Sequence, residues 1–391
     1  MDELLNPFAP GAGTPPPKLA GRDDILRRTE LTLGRVRKGK PTKSFIAVGL
    51  RGVGKTVLLN EVLQKAESLG YQAVFIEAQE NKNLPLILLP KLRQLLIRLD
   101  KIEQAKEAGK KALRTLAAFA SSVKAQIGDV EFSLSIDPEV GTADSGFLES
   151  DLSDLFEEVG KAARSKGTAV AIIIDELQYL DEVEMSALIM AMHRVQQRQL
   201  PVVHIGGGLP QILGIAGKSK SYAERLFDYP RVGPLSEEDS NQAILEPVEN
   251  EGSRITSDAL KEIYQKTEGY PYFVQAWGHY SWNVAECSPI GKEDVKKASI
   301  EAERSLDESF FQVRYDRLTG AERDYLFAMA ELGAGPHRSG DIAKQLKRKV
   351  ESVAPTRSSL IKKGMVFSPS HGDTAFTVPM FDQYLRRLRN S

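Results

Sequence analysis

Residues 45–56, FIAVGLRGVGKT, join an unbroken apolar run to a glycine-rich loop and then to a helix-forming segment. Few backbones accept that succession. Apolar residues without alternation fit a strand buried on both faces. Glycines at 49, 52 and 54 permit a tight turn whose N–H groups point inward, and the segment from Lys55 to about Ser68 reads as a helix. A loop of this kind, opening a helix, suits a polyphosphate, because its amides and the helix N-terminus both present positive potential. Gly49, Gly54, Lys55 and Thr56 satisfy the pattern G-x-x-x-x-G-K-[ST] in full. Main-chain amides of Arg51, Gly52, Val53, Gly54, Lys55, Thr56 and Val57 are then expected to grip the phosphates of ATP. Lys55 would reach the β- and γ-phosphates, and Thr56 would ligate Mg²⁺.

A magnesium nucleotide needs a second, acidic contact. Residues 171–180, AIIIDELQYL, place Asp175 at the carboxyl end of another buried run, where ligands of open α/β sheets bind. Asp175 is the expected metal partner, and Glu176 is placed to orient and deprotonate an attacking water. The alternative for the pair is a helix-starting acidic dipeptide.

The same alternation recurs along the chain. Strands are expected at 45–48, 73–76, 169–174 and 202–205, with helices at 55–68, about 147–165 and about 184–196. Strands separated by helices imply right-handed crossovers and a parallel sheet covered on both faces. With 391 residues there is room for two or three domains. The formal charge of −1, from 52 basic and 53 acidic residues, excludes a protein that coats nucleic acid over its whole surface. The single cysteine, Cys287, forms no internal disulfide, and no apolar run approaches the length of a membrane span, so the expected setting is cytoplasmic.

The stretches GLRGVGKT and IIIDELQYL, with the opening LAGRDDIL and the segments SYAERLF and TEGYPYFVQ, resemble the AAA+ P-loop ATPases. Within them the likeness is to bacterial and archaeal ATPases related to origin-recognition initiators and STAND signalling ATPases. The resemblance implies a P-loop NTPase fold, an α/β parallel sheet sandwiched by helices, then a helical lid and a winged helix. It divides the chain into a flexible leader (1–18), an ATPase core (19–235, with an insertion at about 81–146), a lid (236–306) and a winged helix-turn-helix domain (307–391). By the same resemblance Gly21 and Arg22 lie at the adenine end of the pocket. Arg225 takes the place of an arginine finger offered to a neighbouring subunit of a homo-oligomer, with Arg231 as a second candidate, and Pro271 is the lid contact to the base. Plainer readings stay open: an ion pair of Arg225 with Glu224 or Asp228, and a helix-start proline at 271. Two features depart from the family. The fourth strand ends in His204 and glycines where a polar sensor is usual, and the lid helix near Tyr272 lacks the usual arginine. His204 is either a buried structural histidine or a catalytic one.

In the insertion, leucine-rich helices precede an alternating segment in which Val130, Phe132, Leu134 and Ile136 share one face. It either touches DNA or a partner or packs on its own helices. The tail carries three helical segments and strand candidates at 365–368 and 375–378, the order of a winged helix. Basic residues outnumber acidic ones from Gly335 onward, a local footprint that duplex DNA would select. Thr356, Arg357, Ser358, Lys362 and Lys363, with Ser359 beside them, are the candidate DNA contacts. A packing module is the alternative. Two functions follow: an ATP-hydrolysing machine that works on DNA or a partner through its tail, or a nucleotide-gated switch with negligible turnover. A DNA-binding regulator with a purely structural nucleotide is a third.

Overall fold

The computed structural model describes residues 1–11, 13–100, 106–127, 136–221 and 223–390. By internal contacts the chain falls into two compact units. A sheet unit comprises Asp24–Val48 and Leu58–Arg231, and a helical unit comprises Met1–Asp23, Gly49–Val57 and Val232–Ser391.

The sheet unit is built on five parallel strands in the order β2-β3-β4-β1-β5: β1 (Ser44–Val48), β2 (Gln72–Glu77), β3 (Val170–Asp175), β4 (Val202–Gly208) and β5 (Phe227–Asp228). All of β1, β3 and β4 is buried, as the apolar runs require. One face of the sheet packs on α1 (Asp23–Arg37) and α2 (Lys55–Ser68), through Leu33, Leu59 and Val62. The other face carries a larger core that includes α3 (Leu84–Asp100), α4 (Lys106–Ile127), α5 (Leu148–Ser165) and α6 (Glu182–Gln197). In α3, Leu88, Leu92, Leu95, Leu96 and Leu99 are fully buried at helical spacing, which fixes the insertion as part of the core. Where it is described, the insertion thus joins the core of the sheet unit through α3 and α4. The alternating face at Val130, Phe132 and Leu134 lies outside the described residues. Two short helices, α7 (Ile212–Ser219) and α8 (Ala223–Leu226), lead into β5.

The helical unit contains α9 (Glu237–Asn250), α10 (Ser257–Thr267), α11 (Pro271–Val284) and α12 (Lys292–Leu306), then α13 (Gln312–Asp316) and a terminal module. The module runs α14 (Gly320–Leu332), β6 (His337–Arg338), α15 (Ser339–Gln345), α16 (Val350–Lys362), β7 (Val366–Phe367), β8 (Asp373–Phe376) and α17 (Phe381–Asn390), with an antiparallel sheet in the order β6-β8-β7. Three of these helices start on a side-chain cap: Ser236 caps α9, Thr256 caps α10, and Thr319 with Glu322 forms a capping box on α14.

One expectation needs correcting. Proline and glycine suggest a flexible leader over 1–18, yet residues 2–8 are seated on α11. Trp282 Nε1 donates to the Asp2 carbonyl at 2.8 Å, Asn6 Nδ2 donates to Asn283 Oδ1 at 2.6 Å, and Phe8 is buried beside Gly278. An aromatic ring and a side-chain amide supply the anchor that the flanking prolines do not.

Candidate nucleotide site

The glycine loop leaves the carboxyl end of β1 and enters α2 at Lys55. Gly52 and Gly54 have φ of 78° and 86°, the left-handed conformation that turns successive amides to one side. Lys55 is buried, and its Nζ donates to the carbonyls of Gly49 (3.0 Å) and Leu50 (2.8 Å), so the ammonium is folded over the loop it follows. Val53 is buried, while Gly49, Arg51, Gly52, Gly54, Thr56 and Val57 are placed along the same turn, between the strand end and the first turn of α2. A polyphosphate fits this cradle: left-handed glycines, a helix N-terminus and a lysine head within one loop are the donor set it needs.

Around the loop the helical unit supplies braces. The Arg22 guanidinium donates to the carbonyls of Gly21 (2.9 Å), Val53 (3.0 Å) and Gly233 (2.7 Å). Burial pushes that guanidinium down from its ordinary range, and the Asp239 charge opposes the shift. Gly21 and Arg22 thus join the loop to the segment before α9. Pro271 is the first residue of α11, where a missing N–H costs nothing, and the next amide, Tyr272 N–H, donates to the Gly52 carbonyl at 3.3 Å. The terminal module also reaches the loop. Arg51 N–H donates to the Thr377 carbonyl at 3.0 Å, and Arg51 Nε donates to the Gly364 carbonyl at 3.3 Å.

In the sheet unit, Asp175 ends β3 and is 2% exposed. The register of β3 on β4 and of β4 on β1 sets it level with Gly207 and Ala47, so Asp175 and the end of β1 lie at the same edge, separated by one strand. Glu176 follows in the left-handed conformation, φ 55°, and its N–H donates to Asp175 Oδ1 at 2.8 Å. Glu77 stands level with Asp175 on β2. Its carboxyl is pushed up by burial and by the charges of Asp175 and Glu176, which marks this edge as a concentration of negative charge. Among the described residues no group of three such side chains is placed to hold a metal ion by itself, so a divalent cation at this edge would take further oxygen ligands from the molecule it binds with.

Arg225 is exposed on α8, and among the described residues it makes no ion pair. Asp228 is instead held by Arg28 (2.8 Å) and Lys43 (3.5 Å). Arg231 is exposed, and its backbone bridges to Val48. His204 is fully buried, with Nδ1 at 3.0 Å from the Ile172 carbonyl, and burial lowers its pKa to about 4. It is a neutral structural histidine in the middle of the sheet.

In the terminal module the candidate DNA contacts divide. Arg357 is spent on Thr374 Oγ1 (2.7 Å), Ser368 Oγ (2.9 Å) and the Asp373 carbonyl (2.9 Å). Lys363 Nζ pairs with Glu322 at 2.7 Å and donates to the Arg317 carbonyl at 3.0 Å. Both are corrected from groove-facing to internal, because each lies where a carbonyl or carboxylate needs a donor. Ser358 and Lys362 are exposed and Thr356 is half-buried. Of the basic residues that make the tail's positive footprint in the sequence, Lys344, Lys347, Arg348 and Lys349 are exposed and gathered at the end of α15 and the turn to α16, although none of them is among the expected groove contacts.

Residues 18–205 match the family described as AAA ATPase domain, and the parallel five-stranded sheet with its flanking helices has the P-loop NTPase fold. Residues 308–385 match a family described as a domain of unknown function (DUF8462). Among solved structures, the Walker-type ATPase PABY2304 of Pyrococcus abyssi is similar, with a TM-score of 0.61 at 14% identity, covering 95% of this chain and 98% of that one. The ORC2 protein of Aeropyrum pernix, solved in ADPNP–ADP complexes, gives a TM-score of 0.53 at 13% identity, covering 97% and 98%. At such identities the likeness speaks for the fold alone. No curated protein matches the chain. Among the described residues no helix is long and apolar enough to cross a membrane.

Proposed function

We propose that the chain binds ATP with Mg²⁺ and hydrolyses it, and that nucleotide state governs the terminal module. The observation that carries this reading is the loop itself, with left-handed Gly52 and Gly54 and the Lys55 head inside the stretch that matches the AAA ATPase domain family. Amides of Arg51 to Val57 and the Lys55 ammonium would hold the phosphates, while Thr56 and Asp175 would hold the metal. Bound Mg²⁺ supplies charge neutralisation at the phosphates. Glu176 accepts a proton from the attacking water, and Arg225 serves a neighbouring copy. Gly21, Arg22 and Pro271 border the base. The domain division 19–235, 236–306 and 307–391 belongs to the same reading, as does a winged helix for the last part, whose element order supports it.

Phosphate release and sedimentation measured on the same samples, in ATP and in ADP, with and without duplex DNA, test the proposal. Turnover above background together with ATP-dependent mass is the expected result. A particle of constant mass with no phosphate release would reject it.

The switch reading has an observation of its own. Arg51 N–H, an amide expected on a phosphate, donates to Thr377 in the terminal module. Ligand and tail then compete for one donor. We expect hydrogen exchange of peptides spanning 363–378 to rise several-fold when a non-hydrolysable ATP analogue is added, and Arg51→Ala, which removes the Gly364 contact, to raise it without nucleotide, by about 1 kcal/mol of local opening. Unchanged exchange in both cases removes the coupling.

If the tail binds duplex DNA, the exposed Lys344, Lys347, Arg348, Lys349 and Lys362 are its phosphate contacts, with Thr356 and Ser358 nearer the bases. Reversing Lys347 and Arg348 to glutamate should weaken binding and reduce the salt slope by about 2. Arg357→Ala should act on stability instead.

A further inference from the structure

β4 ends in three consecutive glycines, and each abuts a different residue at the end of β3 or in the turn that follows it. A Cβ on Gly206 would sit 2.3 Å from Leu177 Cδ1, one on Gly207 would sit 2.8 Å from Asp175 Oδ1, and one on Gly208 would sit 3.4 Å from Gln178 Oε1. The bare strand is what allows residues 175–178 to lie against it. Within that turn Gln178 is 8% exposed and both ends of its amide are engaged. Oε1 accepts from Leu209 N–H at 2.9 Å, the first amide beyond β4, and Nε2 donates to the Glu176 carboxylate.

The amide cannot be turned over. A flip would set Nε2–H against the Leu209 N–H and Oε1 against the Glu176 carboxylate, two repulsions in place of two bonds. We infer that Gln178 is the positioning residue for Glu176: it fixes the direction of that carboxylate and ties it to the main chain at the end of β4. The inference rests on the reading of Glu176 as the group that activates water. A carboxylate that must meet one water in one direction loses rate when its support is loosened, even with ligand binding intact.

Gln178→Glu separates this role from plain packing. It keeps the shape and the acceptor for Leu209, removes the donor to Glu176 and sets two carboxylates face to face. The exchanged pair, Gln178→Glu with Glu176→Gln, restores one donor and one acceptor in reverse order. Thermal midpoints of wild type, the two single variants and the exchanged pair form a double-mutant cycle. The expected result is a midpoint roughly 3 °C lower for Gln178→Glu, regained in the exchanged pair. In steady-state ATP hydrolysis, Gln178→Glu should lower kcat at least about 10-fold with KM within about 2-fold, the signature of a lost positioning interaction. The exchanged pair should stay inactive, since position 176 then has no carboxylate. Zero coupling in the thermal cycle, or wild-type kcat in Gln178→Glu, overturns the inference. A wild type without turnover rejects hydrolysis as the function, and the thermal cycle still decides whether Gln178 holds Glu176.

Discussion

Lys55→Ala is expected to cost about 100-fold in ATP affinity, and Glu176→Gln to leave that affinity within about 2-fold while lowering kcat at least about 100-fold. The two effects separate because the residues do different work. The Lys55 head closes the loop on itself through the carbonyls of Gly49 and Leu50. Removing it would take away the proposed charge-assisted contact to phosphate and also these two bonds that shape the loop. Glu176 lies outside the loop, after β3, and in the proposed function it serves proton transfer rather than holding the nucleotide. Calorimetric titration with ATP and phosphate release, measured for both variants, check the split. Equal ATP binding by wild type and Lys55→Ala would place the nucleotide elsewhere and end the proposal. Unaltered turnover in Glu176→Gln would end the assignment of the base alone.

Much of the sheet unit was legible before any coordinates, because its signals are local. Apolar runs without alternation mark β1, β3 and β4, and the helix 55–68 coincides with α2 (Lys55–Ser68). The short β5 and β6 were not anticipated, since two residues carry no periodicity. The second hairpin strand, expected at 375–378, runs instead over Asp373–Phe376, and α17 was missed because its helix follows a turn with no capping signal. In the site, the glycine loop and Asp175 could be read from pattern, whereas the roles of Arg357 and Lys363 could not. Whether a basic side chain faces solvent or answers a buried acceptor depends on what the fold brings to it, and Glu322 is distant in sequence from both Ser359 and Lys363, which bind it. The glycines of β4 were likewise noticed as a missing polar side chain. Their use became visible only when the turn 175–178 was seen lying against them.

Acid should destabilise this protein in two separable stages, one from each unit. His204 takes its proton at 6.5 when unfolded and near 4 in the sheet, because burial disfavours the cation, and its contacts among the described residues include the Ile172 carbonyl, Ser44 Oγ and the Phe227 ring. Between those values the unfolded chain binds more protons, so this contribution is complete above about pH 6.5 and falls as pH drops towards 4, by about 3 kcal/mol in all. Glu322, 3% exposed, behaves differently in cause. Burial alone would raise its pKa, but Lys363, the Thr319 amide and Ser359 together bring it from 4.5 to about 2. Its contribution, also about 3 kcal/mol, is intact above pH 4.5 and is lost as pH falls through 2. Both tryptophans, Trp277 and Trp282, lie in α11, so fluorescence follows the helical unit while hydrogen exchange of β3 and β4 follows the sheet. His204→Gln should flatten the upper stage in the sheet and leave the fluorescence profile unchanged. Glu322→Gln should destabilise the helical unit already at neutral pH, by about 3 kcal/mol, because it strands the Lys363 ammonium. The double substitution Glu322→Gln with Lys363→Met should recover most of that loss, since it leaves no unpaired charge. A sheet profile in His204→Gln that still declines between pH 6.5 and 4 would assign the upper stage to some other group.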